Sequence, residues 1–331
     1  MSVITTPEAS PWNSLKSLVS GFILTKTTEG KSPRTVEFYR ENLRRFLWYA
    51  GRKNWSDDIR QLDEWKLREF LGYLRTEKNR WNLEGNGSET SRGNASITTV
   101  HHYYVAISCF FNWVVVEGFL TSNPITKIKI AKPKNQVITP YTSDEIKRML
   151  AVCDADYAHH AKFLGSRNRA IILVFLDTGV RLSELSGIKL SDLDSGDGHL
   201  KVLGKGSKER MVRIGTVAQK AVWKYLVHRP QNGRQELWLN EEGRPLTAVG
   251  VQNMAKRLRQ RAKITSNGGV HKFRHTFALN FLRADKNVFN LQYLLGHSQL
   301  EMVRRYTSSL GMEDALKAHE KASPVDLMGL H

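Results

Sequence analysis

Cysteine is scarce: two residues, Cys109 and Cys153, in a chain of 331. Both sit inside apolar helical patterns, so neither a disulfide framework nor a cysteine-built metal site is expected. No apolar run approaches the ~18–20 residues of a membrane-spanning helix. The segment from Met1 to Pro11 has neither a basic start nor an apolar stretch, so a secretory leader is not expected. No internal repeat and no low-complexity tract is visible. An apolar content of 40% rules out a mostly disordered or collagen-like chain. These absences leave a cytoplasmic protein with no cofactor and no membrane partner as the expectation.

Acidic residues are the other shortage. Fifty Lys and Arg against 32 Asp and Glu leave +18 at pH 7 and a sequence pI near 9.9, the footprint of a phosphate-bearing partner. Up to Ile138 there are 20 basic and 13 acidic residues, and beyond it 30 and 19. Both parts are therefore basic, which excludes a basic tail on a neutral enzyme. If both touch one polyanion, the protein should wrap it.

The length suits about two domains. Ser32-Pro33 offers an N-cap and a first-turn proline, and Val36, Tyr39, Leu43, Phe46, Leu47 and Ala50 follow as one stripe. Helices through Leu62–Leu74 and from Ser96 to about Gly118 complete an all-α unit, with a polar loop over Asn79–Asn94. Residues 1–13 read as a tail, 14–120 as the first domain and 121–138 as a basic linker. That linker is either a solvated hinge or a strap along a nucleic-acid backbone. Residues 139–331 form a mixed, mainly α domain with a small β-sheet. Helices are expected from Thr142, over Arg169–Asp177, Leu182–Gly187, Val217–Val227 and Val249–Ala262. Further helices are expected around His271–Arg283, Val288–Leu295, Gln299–Tyr306 and Glu313–Ala322. Strands at Leu200–Val202 and Met211–Ile214 flank a Gly-rich hairpin tip, and a short strand is expected at Glu236–Leu239.

Two apparent motifs fail on inspection. His271 and His275 have the spacing of a zinc-protease pair, but Lys272 stands where that motif needs its Glu. Gly204-Lys205-Gly206-Ser207-Lys208 lacks the spacing of a phosphate loop and joins two strands instead of opening a helix.

What remains are cationic and proton-handling groups at structural breaks. Arg181 follows Thr178-Gly179-Val180 at a turn; its guanidinium suits either two phosphate oxygens or a salt bridge to Glu184. Lys205 sits on the hairpin tip, where a lysine is ordinarily just solvated. His271 and Arg274, three apart, share a helix face. His297 follows Leu294-Leu295-Gly296, and Tyr306 follows Arg304-Arg305.

In this order the strings resemble the tyrosine recombinase (phage integrase) family, in its Xer-like form. They are Thr178-Gly179-Val180-Arg181-Leu182-Ser183-Glu184-Leu185, Gly204 through Arg210, His271-Lys272-Phe273-Arg274-His275, and Leu294-Leu295-Gly296-His297-Ser298 ending in Tyr306. The resemblance implies a core-binding, SAM-like first domain ahead of a catalytic integrase domain. By position it makes Tyr306 the nucleophile and gives Arg181 and Arg274 the non-bridging oxygens of the scissile phosphate. Lys205 would protonate the leaving 5′-oxygen, His271 would act as general acid/base, and His297 would hydrogen-bond the phosphate. Glu184 would support the first arginine. No metal or cofactor is implied. The implied partners are double-stranded DNA with an inverted-repeat core site, further copies of the chain assembling from dimer to tetramer, and an accessory or directionality protein. The separate arm-binding domain of phage-lambda-type integrases is not expected. The tail Glu313–His331 would pack into a neighbouring protomer or onto its own domain.

The physics is consistent with these roles. A phenol with pKa of about 10 needs nearby cations or a base to attack as phenolate. Guanidiniums offset charge building on the phosphorane, and a 5′-alkoxide leaves only with a proton supplied. The expected activity is site-specific DNA strand exchange through a 3′-phosphotyrosyl link and a Holliday junction. A type IB topoisomerase and a catalytically silent DNA-binding regulator are the rival readings. Lys256, Arg257, Arg259 and Arg261 are candidate groove contacts or a solvated face.

Overall fold

The computed structural model describes residues 13–77, 93–133, 139–194, 196–204, 209–266, 268–285 and 287–296. The chain divides into two compact units, Met1–Asn135 and Gln136–His331.

The first unit is built from α1 (Leu15–Thr28), α2 (Pro33–Arg52), α3 (Glu64–Thr76) and α4 (Ile97–Val116). Ser14, Ser32, Asp63 and Ser96 each accept a first-turn amide through the side chain, which satisfies one of the donors a helix start leaves orphaned. Of the α2 stripe, Val36, Leu43, Phe46 and Ala50 are buried, joined by Tyr49, which the spacing does not mark. The core is aromatic: Phe22 meets Tyr39, Phe110 and Trp113 edge-on, and Phe70 meets Phe46 and Tyr103.

Two features differ from expectation. Helix α1 precedes the first helix that the pattern reveals. Its end carries Thr25, Thr27 and Thr28, whose hydroxyls bond back to the helix carbonyls of Gly21, Ile23 and Thr25, a poor helix-forming signal. The stretch 121–138, read from the sequence as a basic linker, is packed in its first part. Asn123 caps a 3-10 turn at Pro124–Lys127, and Ile125 and Ile128 are buried in the first unit's core. Lys127 and Lys129 flank Ile128, and Pro124 precedes Ile125, so neither isoleucine belongs to a visible apolar stripe.

The second unit contains α5 (Ser143–Ala158), α6 (Lys162–Thr178), α7 (Leu182–Ser186), β1 (His199–Leu203), β2 (Glu209–Arg213), α8 (Thr216–His228), α9 (Ala248–Arg261), α10 (His271–Asp285) and α11 (Val288–Leu295). A capping box between Thr142 and Glu145 starts α5. The strands pair antiparallel, with Lys201 opposite Met211. Phe175 of α6 stacks on Phe273 of α10 at 5.7 Å, and these two helices form the floor that carries the site.

Helix α6 starts seven residues before the expected Arg169. Its first half buries polar residues, Ser166, Arg167 and Asn168, so no apolar stripe announces it. Arg167 is satisfied by Leu239 O and Asn168 Oδ1. The strand expected at Glu236–Leu239 is instead a pair of isolated bridges, Lys189 to Glu236 and Leu239 to Pro245. The hairpin tip 205–208 and the helices expected at Gln299–Tyr306 and Glu313–Ala322 lie outside the described residues.

Candidate active site

Gly179 ends α6 in the left-handed conformation (φ +60°) and turns the chain into α7. Arg181 is the N-cap of α7, so its side chain leaves the backbone where the chain bends. Its Nη1 donates to Glu184 Oε1 at 2.8 Å, and its backbone N–H donates to Oε2 at 2.7 Å. The two alternatives open for Arg181 are thereby compatible: it makes the Glu184 salt bridge, while a third of its side chain (32%) stays exposed.

Arg274 stands on α10, one turn after His271, and is buried. Its Nη1 donates to Gly179 O at 2.5 Å and its Nη2 to Leu295 O at 2.7 Å. Arg274 therefore joins the end of α6 to the end of α11. His271 opens α10 and is exposed.

Sequence reasoning gives Arg210 no role. It stands on β2 and reaches under the site, donating from Nη1 and Nη2 to the two oxygens of Glu184 at 2.9 and 2.8 Å, and from Nε to Leu294 O at 2.9 Å. The available signal is its place on the inward face of β2, two residues before buried Val212, where a charge needs a partner.

Three successive carbonyls at the end of α11 thus each receive a different arginine: Leu294 from Arg210, Leu295 from Arg274 and Gly296 from Arg181, the last at 3.3 Å. The last carbonyls of a helix lack intrahelical partners and carry the negative end of its dipole. The guanidiniums supply both the donors and the opposite charge. Gly296 closes α11 with φ +60°, and a β-carbon there would lie 3.1 Å from Arg210 Nη1.

Glu184 is buried between two guanidiniums. Burial would raise its carboxyl, but the hydrogen bonds from Arg210 and from the Arg181 backbone outweigh that and hold it at about 2. It is ionised at any ordinary pH.

Behind His271 lies a second polar cluster. Lys272 is 2% exposed; its Nζ donates to Ser266 Oγ at 2.7 Å, stands 3.8 Å from Glu145 Oε2 and lies 4.4 Å from the centre of the Tyr141 ring. Ser266 Oγ in turn donates to Glu145 Oε1 at 2.6 Å. Burial lowers the ammonium's pKa, against the pull of Glu145. This cluster fixes the start of α10 to the start of α5.

Arg181 and Arg274 converge on adjacent carbonyls, with His271 one helical turn from Arg274. Lys205, His297 and Tyr306 lie outside the described residues; in the chain they directly follow Gly204, directly follow Gly296, and come ten residues after Gly296. Among the α9 candidates, Arg259 is bonded to the carbonyls of Ser266 and Gly268, and Arg261 is paired with Asp156 at 2.6 Å. Lys256 and Arg257 are exposed. Among the described residues, no helix is long and apolar enough to cross a membrane.

The model of the phage integrase family matches residues 141–312, and that of the phage integrase N-terminal SAM-like domain matches residues 18–118. The tyrosine recombinase XerC of Leptospira interrogans is 30% identical over 301 residues, covering 90% of each chain. The XerC of Thermodesulfovibrio yellowstonii is 29% identical over 270 residues, covering 78% of this chain and 88% of that one. Among solved structures, a lambda integrase dimer bound to a COC′ core site aligns with a TM-score of 0.67 at 18% identity, covering 87% of this chain and 97% of that one. The Tn1549 transposon integrase in complex with transposon right-end DNA aligns with a TM-score of 0.68 at 19% identity, covering 94% and 99%. These structures share the fold: a helical N-terminal domain and a mainly helical second domain with a small sheet.

Proposed function

The chain belongs to the phage integrase family, the tyrosine recombinases, and from that premise we propose that it cuts and rejoins double-stranded DNA at a specific core site with two inverted arms. Tyr306 attacks the scissile phosphorus, forming a 3′-phosphotyrosyl bond as the bond to the 5′-oxygen breaks. Lys205 gives that oxygen its proton, and the leaving strand ends in a 5′-hydroxyl. Arg181 and Arg274 bind the non-bridging oxygens and offset the charge that builds on the phosphorane. His271 takes and returns the tyrosine proton, and His297 donates to the phosphate. A 5′-hydroxyl from the partner duplex then displaces tyrosine, through a Holliday junction held by a tetramer of the chain. The phosphotyrosyl diester keeps the energy of the broken bond, so rejoining needs no nucleotide triphosphate.

The observation that carries this reading is the convergence of Arg181 and Arg274 on the neighbouring carbonyls of Gly296 and Leu295, one and two residues before His297. Two guanidiniums anchored to one helix end are preorganised, so little reorganisation is needed as charge develops. The surplus of basic residues supplies the contacts that neutralise a duplex backbone. The domain reading is 14–120 for core binding and 139–331 for catalysis, and the place of action is the cytoplasmic nucleoid, with an accessory or directionality protein at hand.

The test finds the target site and the activity together. The protein is incubated with genomic DNA of its source in EDTA, stopped with detergent, and the covalently attached DNA is sequenced, with Tyr306→Phe in parallel. Adducts at one or a few sites, absent in the variant, are the expected result. Scattered adducts would mean a type IB topoisomerase, and undiminished adducts in Tyr306→Phe would reject the assigned nucleophile. Tight binding without adducts would mean a silent regulator.

A further inference from the structure

We propose that Arg210 is a positioning residue for strand cleavage: it takes up the charge of Glu184 from below and so leaves Arg181 its positive charge for the scissile phosphate. The inference rests on the role proposed above for Arg181. Glu184 holds Arg181 in place through two hydrogen bonds, but a carboxylate against a guanidinium also cancels it. An Arg181–Glu184 pair alone has no net charge to offer an anion. Arg210 adds a second cation to the same carboxylate, on both of its oxygens, and the three side chains together carry +1.

Exposure separates the two arginines. The Arg210 side chain is 10% exposed against 32% for Arg181, so one is enclosed and the other faces outward. The enclosed one is anchored a third time, to Leu294 O, while Arg181 reaches the exposed Gly296 at the same helix end. Arg210 is thus built to act on Glu184 and α11, not on DNA. Its guanidinium fork matches a carboxylate plus a carbonyl; a lysine supplies the charge without the fork.

The experiment compares cleavage of two duplexes carrying the core site recovered from the adduct sequencing. One has the natural phosphodiester; in the other a methyl group replaces a non-bridging oxygen of the scissile phosphate, which removes its negative charge. Arg210→Gln should cleave the phosphodiester about 10²-fold more slowly, in the range lost when one charge-stabilising donor is removed. On the methylphosphonate the deficit should shrink to a few-fold, because there is less charge for Arg181 to offset. Arg210→Lys, which restores the charge, should recover most phosphodiester cleavage and guards against a folding artefact. An equal loss on both duplexes, or no recovery with lysine, would overturn the inference and leave Arg210 a structural residue. Arg181→Ala serves as the reference. If its deficit is also the same on both duplexes, the phosphate role of Arg181 fails and the inference falls with it.

Discussion

Gly179 and Phe277 are packed so closely that a β-carbon on Gly179 would overlap the edge of the Phe277 ring and stand 2.9 Å from Leu295 Cδ2. The glycine is required twice, for its left-handed backbone and for this contact. Its carbonyl also receives Arg274, so the turn, the core beneath it and the arginine are one unit. Gly179→Ala should destabilise the protein by about 2–5 kcal/mol, combining left-handed strain with overpacking. Urea unfolding of the variant against the parent chain measures it; a change below about 1 kcal/mol would show that the turn relaxes freely.

The buried Glu184 sets an acid limit on stability. Its folded pKa is about 2 against an ordinary 4.5, so its contribution is complete above about pH 4.5 and is lost as pH falls toward 2. The shift corresponds to something on the order of 3 kcal/mol. Glu184→Gln should be less stable at pH 7 and show a flatter decline between pH 5 and 2. Denaturant midpoints across that range test this, and parallel declines in both proteins would contradict it.

The Lys272–Glu145 pair is expected to couple. Lys272→Met removes the cation and leaves Glu145 buried with Ser266 and Thr142, at a cost of about 3 kcal/mol. Combining it with Glu145→Gln should recover a substantial part of that loss. A double-mutant cycle with a coupling energy near zero would show that the two act independently.

The basic residues of α9 should not contribute equally to DNA binding. Arg261 is paired with Asp156, whereas Lys256 and Arg257 are exposed. Lys256→Ala and Arg257→Ala should each lower the slope of log affinity against log salt by about 1, and Arg261→Ala by clearly less. Titrations of duplex DNA at several salt concentrations decide it; three equal slopes would contradict the distinction.

Much of the architecture is legible because it follows local rules. Ser32-Pro33, Ser96 and Thr142 mark helix starts by side-chain chemistry that acts within three residues, and they lie at the starts of α2, α4 and α5. Where polar side chains hide the pattern, legibility ends. Helix α6 is foreshortened in the sequence reading because Ser166, Arg167 and Asn168 are buried, and α1 escapes it for its threonines. Ile128 passes for linker because Lys127 and Lys129 flank it, and Ile125 because it follows the break at Asn123-Pro124. In each case a side chain's surroundings, set by distant residues, override its own polarity.

The family, the order of the site residues and the basic character of both units can be read from the chain alone, since strings, spacings and charge need no coordinates. Arg181 and Arg274 are named as a pair in the same way, ninety-three positions apart. How they are held is a property of the fold. The ends of α6 and α11 present unpaired carbonyls, and the packing of α10 and β2 brings Arg274 and Arg210 to them. That Glu184 serves two arginines instead of one depends on the hairpin lying beneath α7. No local pattern encodes it, because Glu184 and Arg210, twenty-six positions apart, are brought together by packing alone.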